Sequence, residues 1–291
     1  MSPHPRRDTR GIVDPAELLT RVHFRRHSPA PALRPYLEHY WLIDWDLTEP
    51  YASHVVPHPS VNVVFEHSGN TGSAGIAGGG GGGGGAGGSA VLSGIGLGLF
   101  TKRLTGTGRV CGVQFRPGGF RPFAATWPVS HWTGRITPLT EAFPATGPAE
   151  VSGVLSPAED TARVAALDAF LLAHGPDPDP LADEAMALVD LVRTDRAMRR
   201  VSVLAHEAGL SPRSLQRLFA TYVGVGPKWV ILRYRIHEAL ERARSAPAAG
   251  TPDWSRLAAE LGYSDQAHLV RDFTATVGVP PTAYARALSA A

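Results

Sequence analysis

The apolar positions along this chain change their period. From about His27 to Ala149 they come in short runs, HYWLIDWDL, HVVPHPSVNVVFE, AVLSGIG and RVCGVQFR, rich in Val, Trp, Tyr and Phe and cut by Pro and Gly. That is the pattern of short strands. From about Ser156 the spacing turns helical. SPAEDTARVAALDAFLLAHG predicts a helix with Ser156 as N-cap, Pro157 at the first helical position, Glu159 and Asp160 in the first turn and Gly175 as stop. DPLADEAMALVDLVRT predicts a second helix after Asp179. These two helices carry Ala, Leu and Val on one face, which asks for burial against each other or across a dimer. Residues 1–27 are rich in Pro and Arg without a period and read as a flexible tail.

Downstream, the pattern repeats itself. FATYVGVGPKWV (Phe219 to Val230) and FTATVGVPPTAY (Phe273 to Tyr284) share the opening Phe, the Val-Gly-Val triplet and the Pro at one spacing. Each copy begins upstream with a short helix carrying Leu-Ala (Leu204-Ala205, Leu257-Ala258), then three residues, then a glycine (Gly209, Gly262). Alanine permits close approach of another helix, and glycine can take the left-handed conformation that ends a helix. A serine N-cap follows in each, Ser211 before Pro212 and Ser264 before Asp265. These are the parts of a helix-turn-helix, present twice.

The helix after each turn has two faces. Leu215, Leu218, Phe219 and Tyr222 in the first, and Leu269, Phe273 and Val277 in the second, fall at core spacing. Arg213, Ser214, Gln216 and Arg217, and Gln266, Ala267, His268 and Arg271, remain outside. Arg and Gln can bond two groups on a guanine or adenine edge, and these stand in the early turns that enter a major groove. KWVILRYRIHEALERARSA joins the copies as one helix, from which Lys228, Arg233 and Arg235 are expected to contact phosphates. A chain with two such units can read successive major grooves of double-stranded DNA without a second subunit.

The arrangement LAxxxGLSxxxLxRxF, GxxP, a linker helix with RxRxxxA, then LAxxxGYSDxxHLxRxF and GxxPxxY resembles the DNA-binding domain of the AraC/XylS family of transcriptional regulators, over roughly the last hundred residues. The second copy has one extra residue between glycine and phenylalanine, as that family's does. Two departures are Trp254, where the family has a smaller aliphatic residue, and the Pro- and Gly-rich loop SAPAAGTPDW. PHPSVNVVFE and GVQFRPGGFRPF resemble segments of the cupin-like regulatory domains that accompany this module.

The resemblance implies an α+β multidomain chain. Residues 28–150 form a β-rich, cupin-like barrel for sensing, with a disordered Gly loop at 77–89. The resemblance places an all-α domain with two helix-turn-helix units at 195–291, and the apolar stripe of the helices in 151–194 makes that segment a connector expected to hold a homodimer together. It also implies RNA polymerase as a partner and a sensing role for the N-terminal domain; an activator is expected, with the sign of regulation left open by the sequence, and a small-molecule effector of unknown identity is expected without the resemblance implying one. Trp41, Trp45, His54, His58 and Phe115 are candidates for its pocket.

Charge sharpens this picture. The net charge is only +2, but from Arg193 onward fourteen Lys/Arg stand against eight Asp/Glu, and fourteen against eighteen before it. A basic module joined to a mildly acidic one suits a polyanion reader attached to a part with another task. No apolar run is long enough to span a membrane, and MSPHPRRDTR has no apolar segment behind it, so the protein is expected in the cytoplasm. The single cysteine, Cys111, sits in an apolar run and reads as a core thiol.

Rival readings remain open. A metal-dependent cupin enzyme would use His54, His58 and His67 near Glu66, but HVVPHPSVNVVFEH lacks two His one residue apart on a strand, and Cys111 has no local triad partner. No cofactor, metal or catalytic role is therefore expected. GIGLGLF is followed by FTKRLTGTGRV, a turn leading into a strand, where a nucleotide-binding loop requires a helix. A constitutive dimeric DNA-binding regulator without effector is the other alternative.

Overall fold

A computed structural model of the chain describes residues 11–68, 88–195, 197–245 and 252–290. Most of the expected glycine loop and most of the SAPAAGTPDW loop lie outside the described residues.

The N-terminal part is one antiparallel sheet of six strands. In chain order they are β1 (His23–His27), β2 (Leu37–Val55), β3 (Asn62–Ser68), β4 (Ser89–Ser93), β5 (Phe100–Phe115) and β6 (Ile136–Pro138), in the spatial order β1-β2-β5-β3-β4-β6. Among the described residues the two end strands, β1 and β6, do not pair with each other, so the sheet is open rather than a closed barrel. β2 and β5 are long because they pair along nearly their whole length, with register shifts between Leu37 and His39 and between Leu47 and Tyr51. That ladder draws FTKRLTGTGRV into β5 itself rather than leaving a turn before the strand. Residues 11–27, expected as tail, are likewise ordered. They form α1 (Pro15–Arg21), capped by Asp14, and β1, which pairs with β2.

Alternation along the strands makes two cores. Tyr40, Leu42, Val63, Phe65, Cys111, Val113 and Phe115 face the main core, where burial pushes the Cys111 thiol up to about 11. Trp45, Tyr51, Leu104 and Val110 face the other way, against Ile12, Leu18 and Val22. On this second face the indoles of Trp41 and Trp45 lie on Gly112 and Gly108, their partners on β5.

Three helices cover the main face: α2 (Pro148–Leu155), α3 (Asp160–Leu172) and α4 (Pro180–Thr194). Ser156 is not an N-cap but the C-cap of α2, which Pro148 opens and whose Glu150 carboxylate accepts from the Gly147 N–H. Asp179 does cap α4, accepting from Leu181 and Ala182 N–H. The apolar stripe of these helices, with Leu167, Phe170, Leu171, Ala185, Leu188 and Val189, is spent on the main core of the same chain. The stripe therefore supplies no argument for a dimer. A cluster of charges ties α3 to the sheet: Arg25, Arg109 and Arg163 all reach Asp44, and Arg25 also reaches Asp160. The hydrogen bond from Arg25 holds Asp160 at about 2.

The remaining described residues form helices α5 (Val201–Glu207), α6 (Pro212–Tyr222), α7 (Pro227–Ser245), α8 (Trp254–Glu260), α9 (Gln266–Val277) and α10 (Pro281–Ala290) with their connections.

Candidate nucleic-acid interface

Both turns are built by the same backbone bonds. Leu210 N–H donates to Ala205 O at 2.9 Å and Gly209 N–H to His206 O at 3.0 Å; in the second unit Tyr263 N–H donates to Ala258 O at 2.9 Å and Gly262 N–H to Ala259 O at 3.1 Å. This six-to-one bond with a left-handed residue inside it is the helix-ending motif that glycine allows, and Gly209 and Gly262 have φ of +63° and +76°. The first recognition helix, α6, starts at Pro212 with Ser211 capping Ser214 N–H at 3.1 Å. In the second, the cap is Asp265, not Ser264: its carboxylate accepts from His268 N–H at 2.7 Å, and that bond holds it below its ordinary value. An ionised carboxylate is the stronger acceptor at a helix start, while Ser264 bonds sideways to Asp265 and His268.

The core faces are buried as their spacing requires: Leu215, Phe219, Leu269 and Phe273 are inaccessible to solvent. Trp254 joins the core of the second unit, its ring edge-on to Phe273 at 6.1 Å. The opposite faces are open. Arg213, Gln216 and Arg217 on α6, and Gln266, Ala267 and Arg271 on α9, are exposed, with Ser214 and His268 half-buried. Gln266 accepts from Ser255 at 2.7 Å, and His268 is drawn towards Ser264 at 3.2 Å and Asp272 at 3.7 Å.

The linker helix differs from expectation. Lys228 is exposed, but Arg233 is only 4 % exposed and faces the sheet domain. Its Nη2 donates to Leu97 O at 2.9 Å and its Nη1 to Pro57 O at 3.3 Å, over the Trp229 ring at 4.3 Å. Burial lowers its pKa to about 10. It holds two parts of the chain together and has no access to phosphate. Arg235 is half-buried and donates to backbone carbonyls on both units.

The five residues expected to line one pocket do not meet. Phe115 is in the main core, Trp41 and Trp45 are on the far face of the sheet, and His54 sits at the surface beside Thr101. Only His58 borders a cavity, a half-open cleft of about 370 Å³ between the sheet, the end of α4, α7 and the end of α8. There the His58 ring stacks on His237 of α7, centroids 3.9 Å apart and planes 7° apart. Ser60, Arg235, His237 and Glu238 also line it, and their positions in the sequence gave no sign of convergence. The Ser60 hydroxyl and Arg235 Nε are buried there without a hydrogen-bond partner. Among the described residues no group of three or more His, Cys, Asp or Glu could hold a metal ion, and no helix is long and apolar enough to cross a membrane.

Two helix-turn-helix units on one connecting helix define the DNA-binding module of a transcription regulator. Residues 204–287 match the family described as Helix-turn-helix domain, and this C-terminal domain is of the AraC type. Residues 25–138 match a family described as Domain of unknown function (DUF6597). Sequence comparison with curated proteins gives no match. Among solved structures, the chain is similar to ToxT from Vibrio cholerae at 12% identity and a TM-score of 0.41, covering 90% of this chain and 98% of that one. It is also similar to ToxT from Vibrio cholerae strain SCE256 with unsaturated fatty acid bound, at 14% identity and a TM-score of 0.41, covering 91% and 99%.

Proposed function

We propose that this protein is a sequence-specific, ligand-responsive transcription regulator of the cytoplasm that inserts α6 and α9 into successive major grooves of DNA. The observation that carries the reading is the duplicated turn, with an exposed Arg and Gln face on the helix after each copy. α7, with 19 residues, is about 28 Å long at ~1.5 Å per residue, a length suited to placing two recognition helices close to one helical turn apart. Arg213, Gln216 and Arg217 read one set of base edges and Gln266 and Arg271 the other, while Lys228 contacts phosphate. A lost bidentate contact costs about 1–3 kcal/mol at one position. Binding-site selection with Arg217→Ala and with Arg271→Ala is expected to relax two positions about one helical turn apart. If both variants relax the same base pair, or Arg271→Ala keeps full preference, the reading fails.

The effector half of the proposal rests on the cavity. A molecule filling it would touch the sheet, α4, α7 and α8 at once, and would meet a buried hydroxyl and a guanidinium nitrogen that lack partners. Ligand bound there stabilises the arrangement it fits. Thermal shift of the full chain against a metabolite library, followed by operator affinity with each hit, is expected to find ligands that change both. A constitutive regulator would show none.

A further inference from the structure

The two readers do not share an apolar core. The first packs Leu215, Phe219 and Ile231 into the main core, whereas the second encloses Leu257, Leu269 and Phe273 in a separate cluster whose first member on α7 is Ile236. Arg235 stands on α7 between those two cores, and its guanidinium touches both units. Nη2 donates to the Arg199 carbonyl, just before α5, at 2.7 Å, and Nη1 to the Gly262 carbonyl, inside the second turn, at 3.5 Å. The same group lies 5.5 Å from the centre of the Tyr263 ring. Arg199 crosses the seam as well: its Nη2 donates to Glu260 O at 2.6 Å, and its Cδ stands 2.6 Å from where a Cβ on Gly262 would be. Apolar contact is non-directional and tolerates sliding. A planar guanidinium held by carbonyls on two bodies constrains both distance and angle.

From this geometry we infer that Arg235 is a positioning residue that sets the spacing between the base pairs read by α6 and those read by α9. It touches no base itself. The inference rests on the two-reader function proposed above and adds to it what determines the permitted length of DNA between the two half-motifs.

Selection from pools of duplexes whose half-motifs are separated by the wild-type number of base pairs, or by one or two more or fewer, tests it directly. The wild-type protein is expected to enrich one spacing. Arg235→Ala is expected to enrich two or more spacings to comparable levels, while the bases chosen within each half-motif stay as they were, which general loss of stability would not produce. Arg235→Lys keeps the charge but lacks the planar fork, so it should broaden the spacing in the same way, and it serves if the alanine variant fails to fold by circular dichroism. A folded Arg235→Ala or Arg235→Lys that still enriches the single wild-type spacing overturns the inference. A wild-type protein that enriches no fixed spacing overturns the two-reader function instead.

Discussion

At the scale of single residues, burial reverses what side-chain type suggests. Arg233 and Lys228 lie five positions apart on one helix, yet one is sealed against Leu97 and Pro57 and the other is open to solvent. Each hydrogen bond to a charged group is worth about 1.5–3 kcal/mol, so Arg233→Ala is expected to cost about 3 kcal/mol or more in urea unfolding. It should leave the salt dependence of DNA binding unchanged, whereas Lys228→Ala should reduce that slope by about one. His237 is held well below the ordinary histidine value, first by burial, then by repulsion from His58, Arg233 and Arg244, with the Pro57 carbonyl opposing. The unfolded chain therefore takes up this proton near pH 6.5 while the folded chain does not. More protons on the unfolded state means that stability falls as pH drops below about 6.5, by at most ~1.4 kcal/mol per unit from this group. Melting temperatures from pH 7 to 5.5 should decline, and less steeply in His237→Phe; equal slopes would contradict this.

At the scale of elements, local chemistry explains most of what forms. The caps of α4 and α6, the turn glycines and the core faces of both recognition helices follow from residues within one or two turns of each other, which is why they were legible. Where two local candidates competed, the stronger acceptor prevailed at α9. Asp265→Ala is accordingly expected to lower stability, with Ser264→Ala costing clearly less in the same denaturation experiment. Strands obey partners more than propensity. Gly112 looks like a poor strand residue, but its missing side chain is the seat of Trp41: a Cβ there would lie 2.0 Å from the indole. Gly112→Val should therefore destabilise the sheet by roughly 1–3 kcal/mol, despite the better β-propensity of valine, as a thermal melt would show.

At the scale of the whole molecule, the two readers are unequally supported. Leu204, Leu215 and Phe219 belong to a core continuous with that of the sheet domain, and Thr133 Oγ1 donates to Gly224 O at 2.7 Å just beyond α6. The second unit has a core largely of its own, with Val56 as a contribution from the N-terminal part. A fragment of residues 195–291 is thus expected to lose amide hydrogen-exchange protection in α5 and α6 far more than in α8 and α9. Equal protection of both units would contradict the asymmetry. The same packing shows where the helical stripe of α3 and α4 is buried: its apolar face needed a partner, and periodicity does not tell whether that partner is the same chain or another.

By itself the sequence determined a duplicated helix-turn-helix, the cap of its first recognition helix, both turns and core faces and the outward Arg and Gln residues, because each depends on spacing within a few helical turns. It also indicated a β-rich N-terminal part through alternation. Tertiary structure alone decided that the sheet stays open, that the pocket candidates scatter, and that a cavity forms around His58 and His237. It alone sealed Arg233, expected on phosphate, against the sheet domain. The carbonyls that Arg233 binds lie 176 and 136 positions away in the chain, and no local pattern records which distant backbone a long cation will meet once the core has closed.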